Sequence, residues 1–164
     1  MAQVRIVGVA LDSSGQPLIL LKPLGEETGA GRMLPIWIGT QEATSILIAV
    51  EGAEAPRPLS HDLMKTLIEA VGASVERVDV TKIEDGTFYA EITLLTRDGS
   101  LSIDSRPSDA IAIAARVDAP IWVNDEVMEE AGIIDEGDKA AVEEERLDEF
   151  RKFLDEVDPE DFQG

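Results

Sequence analysis

One stretch of the chain reads as the second copy of another. Ser105-Arg106-Pro107-Ser108-Asp109-Ala110-Ile111-Ala112-Ile113-Ala114 repeats the plan of Ile38-Gly39-Thr40-Gln41-Glu42-Ala43-Thr44-Ser45-Ile46-Leu47-Ile48-Ala49. Each copy follows a strand-like run, opens with a helix-start signal and puts an acid and then an alanine in the first turn. Glu42 and Asp109 stand 67 residues apart, and the Ala-Pro pairs that follow, Ala55-Pro56 and Ala119-Pro120, stand 64 apart. A near-constant offset of this size points to an internal duplication and constrains the fold to two similar halves.

The segments between these landmarks have the same order in both halves. Val4, Ile6, Val9 and Leu11 have strand-like spacing, Asp12 to Pro17 is a turn, and Leu18 to Leu21 is a short apolar run suited to a buried strand. Gly25 to Gly31 is a glycine-rich loop, and Met33 to Ile38 is a third strand. A helix is predicted from about Thr40 to Val50, with Ala43, Ile46, Leu47 and Val50 on one face. A second, capped by Ser60, carries Leu63, Met64, Leu67, Ile68 and Val71 at helical spacing and ends at Gly72.

The second half has a strand around Val75 to Val80, an Asp85-Gly86 hairpin, a strand from Phe88 to Thr96, an Asp98-Gly99 turn and a strand beginning at Leu101. A helix over Pro107 to Val117, an extended Pro120 to Val123 and a short helix from Asp125 to Ala131 complete it. Three strands followed by helices, twice, is an α+β order, and the tight turns make one mixed, largely antiparallel sheet. We divide the chain into a domain over residues 1–134, with pseudo-repeats at about 1–72 and 73–134, and a tail over 135–164. Within the tail, Asp138 to Val157 places Leu147, Phe150, Phe153, Leu154 and Val157 on one side of an acidic amphipathic helix.

A chain of 164 residues that is 44% hydrophobic can bury the core of one domain. It has no cysteine and only one histidine, His61, which excludes thiolate chemistry, cysteine zinc sites and any two-histidine mechanism. No apolar run approaches the roughly 20 residues of a membrane helix. The N-terminus lacks the pattern of a signal peptide, so a soluble, cytoplasmic protein without a membrane partner is expected. The net charge of −20 is concentrated at one end, because residues 124–164 carry 17 acids against 4 bases while residues 1–123 carry 17 against 10. Nucleic-acid affinity comes largely from Lys and Arg on phosphates, so any such site must be local.

Four blocks in order resemble the bifunctional nuclease domain family. They are Leu34-Pro35-Ile36-Trp37-Ile38-Gly39 with Glu42-Ala43, Pro56-Arg57-Pro58 with His61-Asp62-Leu63, Asp85-Gly86-Thr87-Phe88-Tyr89-Ala90, and Asp104 through Ala112. The resemblance covers residues 4 to 132. It implies a duplicated β3–α2 unit forming one barrel-like sheet, commonly a homodimer, and an activity on DNA and RNA like that of the plant members. It supplies no catalytic set, so the candidates come from chemistry.

A nuclease with this composition would use a divalent ion, Mg²⁺ or Mn²⁺, held by carboxylates. The candidate ligands are Glu42, Asp62, Asp104 and Asp109, with Asp85 a further acid in the same blocks. Asp104 and Asp109 sit five apart across a strand-to-helix junction, where their side chains can converge. Arg106 between them, and Arg57, are the candidate phosphate-binding residues. His61 is the candidate general base, which makes His61, Asp104, Arg106 and Asp109 the catalytic candidates.

Each of these residues also has a structural reading. Glu42, Asp62 and Asp109 fall in first turns of helices, where acids complement the dipole. Asp85 suits a hairpin turn, and Arg106 suits a partner acid. Ser60-His61-Asp62 is a triad in text only, because neighbours in a helical turn do not face one another. The loop glycines lack Walker spacing. Two functions therefore stand side by side: a metal-dependent nuclease acting on DNA or RNA, and a non-enzymatic dimeric interaction or regulatory protein. The first needs Arg57, Arg106 and Arg32 or Lys82 gathered near Asp104 and Asp109. The second needs those cations locked in pairs and an apolar patch elsewhere.

Overall fold

A computed structural model describes residues 1–26, 29–135 and 148–152 of the chain. The first half runs β1 (Ala2–Leu11), β2 (Pro17–Pro23), β3 (Arg32–Trp37), α1 (Thr40–Glu51) and α2 (Ser60–Ala70). The second runs β4 (Ser74–Glu84), β5 (Thr87–Thr96), β6 (Gly99–Ser105), α3 (Pro107–Val117), β7 (Ile121–Val123), α4 (Asp125–Ala131) and β8 (Ile133–Ile134). A further helical segment occupies residues 148–152.

Among the described residues, eight strands join one sheet in the order β6-β5-β4-β7-β1-β2-β3-β8. The two meanders are antiparallel. They are welded together by β7, which runs parallel to β4 and antiparallel to β1. The sheet is mixed and largely antiparallel, as expected, but it is open. β6 and β8 form opposite edges and do not pair with each other, so the barrel-like closure implied by the resemblance is corrected. Closure needs a continuous hydrogen-bond register around the sheet, and β8 has only two residues to offer.

Local chemistry fixes the turns. Asp85 and Gly86 both have positive φ, 50° and 78°, which is the twist a two-residue hairpin requires. Gly52 ends α1 at φ 66°, and the N–H groups of Gly52 and Ala53 close on Ala49 and Ile48. Helix α3 starts at Pro107, whose missing N–H is one the first turn leaves free anyway. The cap of α2 is Leu59, not Ser60, and Asp62 Oδ2 accepts the Leu59 N–H at 2.8 Å.

The main core lies between the sheet and helices α1 and α3, and a smaller buried cluster of Ala10, Leu18 and Leu20 lies apart from it. In the main core Ile19, Leu21, Leu34 and Ile36 meet Ile46 and Leu47 of α1, and Val78, Val80 and Ile92 join the same cluster. Ala110, Ile111, Ala112, Ile113 and Ala114 of α3 complete it, with α3 packed against α1. The apolar residues of helix α2 have the helical spacing read from the sequence, but most of them do not enter the core. Only His61 is buried on that helix, and Leu63, Met64, Leu67 and Val71 face outward. The tail helix expected over 138–157 lies outside the described residues except at 148–152, where Phe150 is buried in the main core and Arg151 pairs with Glu51. Asp135 is buried against Lys22 of β2 and also accepts the Gly29 N–H.

Candidate functional site

Helices α1 and α3 each begin directly after the third strand of a meander, so their first turns lie side by side. That brings the acids Glu42 and Asp109 to the two sides of one guanidinium. Arg106 Nε donates to Asp109 Oδ2 at 2.8 Å, and its Nη2 lies 3.1 Å from both Asp109 Oδ1 and Glu42 Oε1.

Behind this pair is a buried chain of bonds. His61, at the start of α2, has Nε2 2.7 Å from Asp109 Oδ1 and Nδ1 2.6 Å from Ser45 Oγ of α1. Arg116, in the last turn of α3, places Nη2 3.0 Å from Ser45 Oγ and Nε 2.6 Å from Asp62 Oδ1. The proton positions follow from the partners. A carboxylate only accepts, so Nε2 carries the proton toward Asp109. Arg116 only donates, so Ser45 accepts from it and gives its own proton to Nδ1. The network runs in one direction, from Arg116 through Ser45 and His61 to Asp109, where it meets Arg106 coming from solvent.

This is a Ser–His–Asp constellation without the geometry of a hydrolase triad. Ser45 is buried and holds the nitrogen opposite to the one that activates a nucleophile, and a guanidinium already donates to its hydroxyl. The parts open to solvent are Arg106, with a side chain 64% exposed, and the edges of Asp109 and Glu42.

The charges tune one another. Burial opposes ionisation of Asp109, but bonds from Arg106 and then His61 outweigh it and hold the carboxyl below the usual 3.8. Asp62 is likewise held below 3.8: burial acts against it, while the Arg116 bond and the Leu59 N–H prevail. The Arg106 guanidinium is pushed above its ordinary value, first by Asp109 and then by Glu42.

Of the residues singled out from sequence, Glu42, His61, Asp62, Arg106 and Asp109 thus belong to one network. Asp104 does not join it. It is exposed on edge strand β6 opposite Glu91. Arg57 is exposed in the connection between α1 and α2, and Asp85 is in the β4–β5 turn. Lys82 pairs with Glu84, and Arg32 donates to carbonyls of Met128 and Glu129. Among the described residues, no group of three or more acids or histidines is close enough to enclose a metal ion. Two members of the network, Ser45 and Arg116, were missed. The available signal was an arginine beside the apolar run of α3, since buried arginines are almost always paired.

This surface lies within a known domain. A family model described as "Bifunctional nuclease domain" matches residues 23–136. The chain belongs to the bifunctional nuclease domain family. It is 41% identical to an uncharacterised protein of Mycobacterium tuberculosis over 170 residues, covering all of this chain and 99% of that one. It is 33% identical to Bifunctional nuclease 1 of Arabidopsis thaliana and 32% identical to Bifunctional nuclease 1 of Oryza sativa subsp. japonica. Each plant match takes in 69% of this chain, but only 35% and 34%, respectively, of the plant protein's length. Among the described residues, no helix is long and apolar enough to cross a membrane.

Proposed function

We propose that the domain is a nuclease that cleaves phosphodiesters of DNA or RNA at the surface formed by Arg106, Asp109 and Glu42. The observation that carries this reading is the exposed guanidinium of Arg106, anchored by two acids and backed by a buried network, inside the residues that the bifunctional nuclease domain model matches. Arg106 binds and neutralises the substrate phosphate. Asp109 orients the attacking water, whose proton passes to solvent as the P–O bond breaks and the leaving oxygen takes a proton from solvent. His61 is a positioning residue that fixes Asp109 from behind, and Ser45 and Arg116 fix His61. Glu42 and Asp109 are the two carboxylates that would hold a Mg²⁺ or Mn²⁺ ion, which keeps most of its waters and takes only one or two protein acids beside substrate phosphates. When bound, the ion would activate water and offset phosphate charge. The test is cleavage of labelled RNA and DNA by wild type, Arg106→Ala and Asp109→Asn, with the divalent ion present or chelated.

A second reading is favoured by a specific observation. Leu63, Met64, Leu67 and Val71 form an exposed apolar face on α2, and most of the cations considered are already paired. That is the pattern of a dimeric interaction protein. The two readings are compatible if α2 forms a homodimer interface. Sedimentation of wild type beside Leu67→Asp tests this part separately.

A further inference from the structure

Next to the network is a cleft of about 420 Å³ that the reading above leaves without a role. Its walls include Trp37 at the end of β3, Phe88 at the start of β5, and Arg106 and Pro107 at the start of α3. The chain has only seven aromatic residues, two of them tryptophans. The second, Trp122, is covered by the Arg77 guanidinium, 4.8 Å from the ring centre. Trp37 is 53% exposed, and its indole N–H is held by Asp12 Oδ2 at 2.9 Å, which fixes the ring's orientation. Nε and Nη2 of Arg106 are engaged by Asp109 and Glu42, which leaves the two N–H groups of Nη1 for another acceptor.

We propose that this cleft receives one unpaired nucleotide of a single strand, with its base stacked on Trp37 and its phosphate on Nη1 of Arg106. The proposal rests on the nucleic-acid reading above and narrows its substrate to single strands. A fixed aromatic face at a cleft wall can stack a base only if that base is not already stacked inside a duplex. The cleft volume is in the range of small-ligand sites and cannot admit a double helix. Stacking is tolerant of sequence, and one arginine gives a weak dependence on salt.

The test is a fluorescence titration at low salt with EDTA present, so that binding is read without cleavage. Trp122→Phe protein is used so that only Trp37 reports. A single-stranded deoxyoligonucleotide of mixed sequence should quench Trp37, and the same sequence as a duplex should not. Binding followed independently on a labelled strand should weaken about five- to a hundredfold in Trp37→Ala and be largely retained in Trp37→Phe. Arg106→Gln should lower the salt slope by about one. Equal binding of single strand and duplex, or no change in Trp37→Ala, overturns the proposal. If wild type cleaves and Trp37→Ala cleaves and binds equally well, the cleft is wrong and the nuclease reading stands. If wild type does not cleave but binds single strands through Trp37, the cleft stands and the nuclease reading falls.

Discussion

Glu42 and Asp109, 67 residues apart in the chain, are held by a single guanidinium, that of Arg106. They occupy matching positions in the first turns of α1 and α3. Two acids so placed would repel each other without the cation between them. Arg106 therefore contributes to joining the two halves as well as facing solvent. Arg106→Ala is expected to lower stability by about 1 kcal/mol, because its side chain is largely exposed and screened. Thermal unfolding of the variant beside wild type measures this.

His61 should cost more. Its removal leaves the buried Ser45 hydroxyl proton without an acceptor and opens a cavity between α1 and α3, while Asp109 Oδ1 keeps its bond from Arg106 and Ser45 Oγ its bond from Arg116. Unsatisfied buried polar groups cost about 1–3 kcal/mol each. His61→Ala should therefore lower Tm by about 5–10 °C in a domain of this size. A shift under about 2 °C would show that the network does not hold the helices together.

Acid should unlock the same network. Asp62 and Asp109 are both held below 3.8 in the folded protein. A depressed folded pKa adds stability above the unfolded value, and that stability is lost as pH falls through the folded value. The Tm of wild type should drop from about pH 5 downward, most steeply below 3.8. In Asp109→Asn the part of this drop due to Asp109 should be absent, so the gap between variant and wild type should close as the pH falls. A gap that widens in acid would reverse the sign of the argument.

The buried pair of Lys22 and Asp135 makes a different kind of prediction. Removing one partner leaves a charge in the core, at a cost of about 3–5 kcal/mol. Lys22→Met should be strongly destabilising by denaturant titration. Lys22→Met combined with Asp135→Leu should recover much of the loss, because an apolar pair of similar volume serves about as well in such positions. No recovery would mean that the link from Asp135 to the Gly29 N–H matters more than the charges.

What could be read from the sequence was mainly what is local. The Asp85-Gly86 hairpin and the start of α3 at Pro107 agree with the structure because a dipeptide's own φ preferences decide them. The apolar spacing of α2 was legible, but its burial was not. Periodicity says that Leu63, Leu67 and Val71 share a face, not what covers it. The five-residue spacing of Asp104 and Asp109 allows convergence but does not say where each points: Asp104 is exposed on an edge strand, while Asp109 is on a helix with its carboxylate on His61. Ser45, His61 and Asp109 come from three helices, separated by 16 and 48 residues. No local pattern encodes such a meeting. Only the packing of α1, α2 and α3 around one another creates it.

The most direct test of the central claim is a cleavage assay with labelled single-stranded RNA and duplex DNA, with Mg²⁺ or Mn²⁺ and with EDTA. Wild type, Arg106→Ala, Asp109→Asn and Asp104→Ala are compared, each first shown to be folded. The account predicts ion-dependent cutting that falls at least about a hundredfold in Arg106→Ala and Asp109→Asn, in line with the loss of a positioned charge or of the group that orients the water. Asp104→Ala should cut like wild type. Absence of cutting by wild type, or cutting lost in Asp104→Ala and kept in Asp109→Asn, would contradict it.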